Sequence, residues 1–187
     1  IEAISINNNA NISVNGNAID FKSKLHKKLK FIKSISCGED HSAIVLNTGQ
    51  VITFGSNSNG QLGYDSAIIS DSSSNPVYVQ NGNGYDGTNA IAVSCGFIHT
   101  AILLSSGKVV TFGNNSNYQL GKNVSETSFP QSVNTGNGYA VSISCGRYHT
   151  MILLNTGTVV GVGSSFKGQL GIGKEIYGQA TYAYYDS

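Results

Sequence analysis

A chain of 187 residues has room for one ordinary domain or for a string of small repeated units, and only 11% of its residues are charged while 23 are Gly. With 11 Lys+Arg against 10 Asp+Glu the formal net charge is +1, which excludes a global field able to gather nucleic acid, acidic membranes or strongly charged ligands; a partner must be recognised locally. No apolar stretch approaches the roughly 18 residues that cross a bilayer, and the first residues lack the charged-then-apolar pattern of a secretory leader, so the expectation is a soluble chain with no membrane partner. The three Cys are odd in number and far apart, which argues against a disulfide framework and for a reducing, intracellular compartment.

Taken in chain order, the first signal is Ile12-Ser13-Val14-Asn15-Gly16-Asn17, which resembles Tyr78-Val79-Gln80-Asn81-Gly82-Asn83 and Val133-Asn134-Thr135-Gly136-Asn137 further on. Residues 1–31 therefore read as the tail of a preceding repeat unit followed by a linker. That linker holds Lys22, Lys24, Lys27, Lys28 and Lys30, continues to Lys33, and includes His26. From Asn17 to Cys37 the chain runs 20 positions, against 12 from Asn83 to Cys95 and 8 from Asn137 to Cys145, so the Lys-rich stretch is an insertion. A solvated loop is the simpler reading, and a contact for an acidic protein surface or for phosphates is the functional one.

The first full unit follows. Ile32–Cys37 is predicted as a strand that turns through Gly38-Glu39-Asp40 into His41–Leu46, which turns through Asn47-Thr48-Gly49 into Gln50–Phe54, an antiparallel meander. After Gly60-Gln61-Leu62-Gly63 and a polar loop, Val77-Tyr78-Val79 supplies a fourth strand. The second unit repeats this in Ala92–Leu104, Lys108–Gly113, Tyr118-Gln119-Leu120-Gly121 and Gln131-Ser132-Val133. The third runs from Ser142 through Gly157, Thr158–Gly163 and Gly168-Gln169-Leu170-Gly171 to Thr181–Tyr185. Runs such as Ala43-Ile44-Val45-Leu46 are apolar at consecutive positions, so both faces of each sheet are expected to be covered.

A Cys-Gly, two residues, His-Ser/Thr, an apolar run, a Gly turn, an aromatic-Gly pair and Gln-Leu-Gly together resemble the regulator-of-chromosome-condensation repeat family. The resemblance implies an all-β propeller with three four-stranded blades, at 32–80, 81–133 and 134–187, joined with 1–31 in one propeller domain. The family usually carries Trp where this chain has Phe54, Phe112 and Val162, which makes the third blade the least orthodox. Propellers close with roughly 4–8 blades, so the ring is expected to be incomplete here, with further blades from the same chain or another subunit.

Each Cys is followed four positions later by a His: Cys37 and His41, Cys95 and His99, Cys145 and His149. Such pairs serve in thiol–imidazole dyads and metal sites, but a catalytic constellation occurs once and this one occurs in every unit. The expectation is that all three Cys are buried and unpaired and that the three His serve folding. The Gly/Asn loops, such as Gly113-Asn114-Asn115-Ser116-Asn117, lack the Lys-Ser/Thr and helix of a phosphate loop, and no acid–base carboxylate pair is evident. No catalytic residue, metal or cofactor is therefore expected, and the chain reads as a non-enzyme.

What varies between units is the turn before each His: Glu39-Asp40, Phe97-Ile98 and Arg147-Tyr148. Variation on a constant frame is how a repeat scaffold builds a binding face. These turns and the linker lysines are the candidate partner-binding residues. Relatives with this repeat include an exchange factor for a small nuclear GTPase, domains attached to ubiquitin ligases, and secreted bacterial inhibitors of β-lactamase. The resemblance thus implies a non-catalytic protein-interaction scaffold with a protein partner, nucleic acid or chromatin being the other partner class considered. The alternatives are a guanine-nucleotide exchange factor, which requires an inserted wedge not identifiable among these units, and a structural component of a large assembly.

Overall fold

Short apolar and β-branched runs, closed by Gly, Asn or Ser, favour strands, and among the described residues every regular element is a strand. The computed structural model describes residues 4–6, 12–14, 17–19, 32–69, 71–124, 126–172 and 183–185. By its contacts the chain divides into two compact units, Ile1–Ile32 and Lys33–Ser187. In the first, β1 (Ile4–Ile6), β2 (Ile12–Val14) and β3 (Asn17–Ile19) form an antiparallel sheet in that order.

The second unit carries three four-stranded antiparallel meanders, the blades of a β-propeller. Blade 1 is β4 (Ile32–Cys37), β5 (His41–Leu46), β6 (Val51–Ser56) and β7 (Ser72–Tyr78). Blade 2 is β8 (Ala90–Cys95), β9 (His99–Leu104), β10 (Val109–Asn114) and β11 (Glu126–Ser132). Blade 3 is β12 (Ala140–Cys145), β13 (His149–Leu154), β14 (Val159–Gly163) and β15 (Ala183–Tyr185). The first three strands of each blade lie within a residue or two of the sequence reading. The fourth begins earlier than expected in blades 1 and 2, at Ser72 and Glu126. Those residues are mostly polar and exposed or half-buried on the outer edge, so they carry no apolar alternation for a sequence pattern to detect.

Burial follows position in the stack. β9 and β10 of the middle blade are buried at every residue, because one face packs on blade 1 and the other on blade 3. β5 alternates between buried and half-buried, and β13 alternates between buried and half-buried or, at Leu153, exposed. Ala43, Val45, Val51, Ile102, Leu104, Val110 and Phe112 belong to the core between blades 1 and 2, and Leu103, Val109, Ile152, Leu154, Val160 and Val162 to that between blades 2 and 3. The residue at the family's aromatic station packs on the preceding blade's Gln-Leu-Gly. A Cβ on Gly63 would lie 2.8 Å from the Phe112 ring, and one on Gly121 would lie 3.3 Å from Val162. Val162 is as fully buried as Phe112, so the unorthodox third blade keeps the contact with a smaller side chain.

Polar groups close the loops by a repeated scheme. Gln61, Gln119 and Gln169 each accept a backbone N–H two residues upstream, from Asn59, Asn117 and Lys167, through Oε1 at 2.8–2.9 Å. Each donates its amide to the residue five before it, Ser56, Asn114 or Ser164. Asn57 and Asn115 accept from the N–H of Leu62 and Leu120 and donate to carbonyls of the loop that follows. The Thr53 hydroxyl donates to the Leu62 carbonyl at 2.6 Å, and that of Thr111 to the Leu120 carbonyl at 3.0 Å.

Blade 3 departs at this last station, and its departure is compensated. Gly161 replaces the Thr, while across the strand pair Met151 replaces Ala43 and Ala101. A Cβ on Gly161 would lie 3.0 Å from both Met151 Sδ and Leu170 Cδ2, so the Met fills the volume that a Thr occupies in the other blades. Gly161→Thr alone is therefore expected to destabilise the fold by about 1–3 kcal/mol through overpacking. Met151→Ala in the same chain should recover most of that loss, a coupling within the usual 0.5–3 kcal/mol for residues in contact, read from urea midpoints of the two single variants and the double.

The imidazoles impose a pH dependence. Burial holds His41 down to about 4 against the opposing pull of Asp40, and burial with the neighbouring imidazoles holds His99 down to about 3. The unfolded chain takes up these protons near pH 6.5 and the folded one does not. Stability is thus complete above pH 6.5 and falls as pH drops toward 4 and 3. His99→Gln should be less stable than the parent at pH 7 yet lose less between pH 6 and 4; a variant whose stability tracks the parent in parallel over that window would contradict the assignment.

Candidate interaction face

Each of the three varied turns sits between the first and second strand of its blade, and a Gly fixes its path. Gly38, Gly96 and Gly146 have no room for a side chain, because a Cβ there would lie 2.0–2.3 Å from Cε1 of the His three residues on. The imidazole fills the space beside the Gly, whose N–H donates to the backbone carbonyl of that same His at 2.8–2.9 Å. The turn's last carbonyl, on Asp40, Ile98 or Tyr148, accepts from the N–H of Ser56, Asn114 or Ser164. Backbone groups are thus committed identically in all three copies, leaving the side chains free to differ.

The His also locks one blade to the next. His41 Nε2 lies 2.9 Å from Thr100 Oγ1, and His99 Nε2 lies 3.0 Å from Thr150 Oγ1. Each Thr hydroxyl spends its only proton on the carbonyl of Gln61 or Gln119 in the blade before it, at 2.8 and 2.9 Å. It must therefore accept from the imidazole, which sets the tautomer: Nε2 carries the proton and Nδ1 is bare. The Nδ1 atoms of His41 and His99 are buried without a partner among the described residues, as suits rings held neutral. For His41 and His99 the expectation that the His serve folding agrees with this geometry; His149 is half-buried.

Inner strands are laced in the same direction. Ser36 Oγ accepts from Cys95 N–H and Ser94 Oγ from Cys145 N–H, both at 2.9 Å, while the two thiols point at the carbonyls of Ser36 and Ser94. The lacing continues into the turns, where Glu39 N–H donates to the Phe97 carbonyl and Phe97 N–H to the Arg147 carbonyl, each at 3.3 Å. The tripeptides Cys37-Gly38-Glu39, Cys95-Gly96-Phe97 and Cys145-Gly146-Arg147 accordingly line one groove.

Side chains on this row are unequal. Glu39 and Asp40 are exposed at one end. At the other, the Phe97 and Tyr148 rings meet edge to face with centroids 5.5 Å apart. The Arg147 guanidinium carbon stands 4.2 Å from the Phe97 ring centre and 5.1 Å from that of Tyr148, within cation–π range of both. Sequence reading singled out these six turn residues, and the structure brings them onto one row; what it missed was the Arg–aromatic stacking, since Phe97 and Arg147 are 50 positions apart and meet only through blade packing. Lys22, Lys24, Lys27, Lys28 and Lys30 lie outside the described residues; Lys33 is exposed on β4.

Among the described residues no group of three or more His, Cys, Asp or Glu is placed to hold a metal ion, and no helix is long and apolar enough to cross a membrane. The cysteines are free, but the expectation of uniform burial fails: Cys95 is buried, Cys145 half-buried and Cys37 exposed. Cys95 and Cys145 pack on the inner strand of the preceding blade, their thiols at the carbonyls of Ser36 and Ser94. Burial pushes the Cys95 thiol up to about 12 and the Cys145 thiol to about 11, so neither forms a nucleophilic thiolate near neutral pH. Iodoacetamide at pH 8 should alkylate Cys37 in the native chain and reach Cys95 and Cys145 only on unfolding; peptide mapping that shows all three labelled at similar rates would refute this.

Comparison with known proteins agrees with the fold. The regulator of chromosome condensation (RCC1) repeat matches residues 32–61, 90–119 and 140–169, and a second description of the same repeat matches 48–103 and 106–153. The E3 ubiquitin-protein ligase MYCBP2 of Danio rerio is 41% identical over 90 residues, which is 48% of this chain and 2% of that protein. The crystal structure of human WBSCR16 superposes with a TM-score of 0.70 at 27% identity, covering 81% of this chain and 40% of that one. Prp20p from Saccharomyces cerevisiae, whose structure was described with its binding to Gsp1p and histones, superposes with a TM-score of 0.59 at 21% identity over 72% of this chain and 31% of its own. The chain therefore spans less than half the length of these relatives, and by its three repeats and their blades it belongs to the regulator of chromosome condensation repeat family.

Proposed function

We propose that this chain is a non-catalytic protein-interaction scaffold that presents the turns Glu39-Asp40, Phe97-Ile98 and Arg147-Tyr148 to a protein partner. The observation that carries this reading is the joining of three turns of constant backbone and different chemistry into one laced row. A rigid frame lowers the ordering cost of association, and Tyr, Phe and Arg, here the half-buried Tyr148 and Phe97 and the exposed Arg147, are the types that anchor protein interfaces. The raised thiols and neutral, hydrogen-bonded imidazoles are poor nucleophiles and bases for chemistry, which supports a binding role. The lysines of residues 22–30 are proposed as an auxiliary contact for an acidic surface of the same partner. Such a contact acts mainly on association rate and weakens with salt.

A photo-crosslinking residue at position 97 should capture a partner saturably in the source cells, whereas one at position 106, in the turn at the opposite end of the same β9–β10 hairpin, should not. Replacing Lys24, Lys27, Lys28 and Lys30 with Ser should then slow association with that partner at low salt and leave its lifetime unchanged. Equal capture from both positions would overturn the reading. Acceleration of nucleotide release from a small GTPase by the purified chain would replace it with guanine-nucleotide exchange.

A further inference from the structure

The row of turns is polar along its length, and that polarity specifies a ligand. At one end the Arg147 guanidinium rests against two aromatic rings, 4.2 Å from Phe97 and 5.1 Å from Tyr148. A guanidinium held against aromatic rings keeps its N–H donors, which form paired bonds to a carboxylate or a phosphate. Arg147 is exposed, and no carboxylate pairs with it among the described residues. The two rings already restrict the side chain, so little rotamer freedom remains to be lost on binding. At the other end stand the exposed carboxylates of Glu39 and Asp40.

The backbone sets the spacing between these ends. The Glu39 N–H reaches the Phe97 carbonyl and the Phe97 N–H reaches the Arg147 carbonyl, so successive turns are neighbours at hydrogen-bonding separation, roughly 5 Å apart. Two such steps make about 10 Å between the outer turns, and the Arg147 guanidinium reaches back over the Phe97 ring, so an extended chain covers the distance between the charged ends in about two to four residues. Phe97 lies between the charged ends, half-buried, with apolar surface facing the groove.

Resting on the scaffold reading above, we infer that this row binds an extended segment of the partner protein in which an acidic and a basic side chain stand about two to four residues apart. The acidic group pairs with the Arg147 guanidinium, and the basic one faces Glu39 and Asp40. A nucleic-acid backbone fits less well: a polyanion lying along the row meets one cation and then two carboxylates, and like charges brought together oppose binding.

Phage-displayed random dodecapeptides selected on the intact chain test this directly. The enriched sequences should share an Asp or Glu with a Lys or Arg two to four positions away. A synthetic peptide of that consensus should bind at least tenfold more weakly to Arg147→Ala, and Arg147→Lys should restore only part of the loss because the paired geometry is gone. The double variant Glu39→Lys with Asp40→Lys should reject the same peptide and accept one whose basic residue is exchanged for Glu. Both sites are exposed, and matching denaturation midpoints establish that the variants are folded. A consensus without an acidic residue, no enrichment at all, or binding to Arg147→Ala within twofold of the parent overturns the inference, as does tighter Arg147-dependent binding of a single-stranded oligonucleotide. Crosslinking the peptide separates the two levels: attachment to the turns with indifference to Arg147 refutes only this inference, whereas attachment elsewhere refutes the scaffold reading as well.

Discussion

Both boundaries between the three described blades are crossed by the same buried relay: an imidazole N–H on one blade, a threonine hydroxyl on the next, and the carbonyl of the Gln in Gln-Leu-Gly back on the first. The hydroxyl cannot turn away without leaving two buried groups unsatisfied, at roughly 1–3 kcal/mol each. That constraint explains why several distant features occur together. The Gly after each Cys is needed because the imidazole fills its side-chain space, and the Gln must be held by its own turn because its carbonyl is the relay's terminus. Apolar burial supplies most of the stabilisation between blades, but it is non-directional. The relay gives the sheets a fixed register relative to one another.

With the register set, the remaining lacing follows. Ser36 and Ser94 reach the N–H groups of Cys95 and Cys145, and the turns above them come within backbone hydrogen-bonding distance. The interaction face is thus a consequence of how the core closes. Its side chains can be aromatic, cationic or acidic because none of them is needed to hold the frame.

Much of this was legible in the residues. The three strands nearest the axis in every blade announced themselves by β-branched runs between Gly turns, and the repeat itself identified the propeller. Three things were hidden, for physical reasons. The outer strands start earlier than any apolar pattern shows, because Ser72–Asn75 and Glu126–Ser128 are polar, exposed or half-buried, and gain order from backbone pairing. Cys37 occupies the same repeat position as Cys95 but not the same surroundings, since burial belongs to the neighbouring sheet and not to the residue. The Thr100 and Thr150 relays had a visible trace in the His-Ser/Thr dipeptide, yet its meaning required knowing which blade's carbonyl lay opposite. Of the candidate site, the turns were found by comparing copies, whereas the stacking of Arg147 on Phe97 is long-range and has no local signature.

The way the turns are framed has a bearing on how such a protein acquires new partners. Because the Gly, the His and the following strand commit the turn backbone in every copy, positions 39, 40, 97, 98, 147 and 148 behave as replaceable letters on a fixed line. A substitution there changes what is displayed without changing where it is displayed, so specificity can drift while stability stays under separate control. The same separation makes this row a natural site for directed evolution: a library confined to those positions would sample chemistry on one geometry, and differences in affinity among its members would report side-chain complementarity undisturbed by differences in fold.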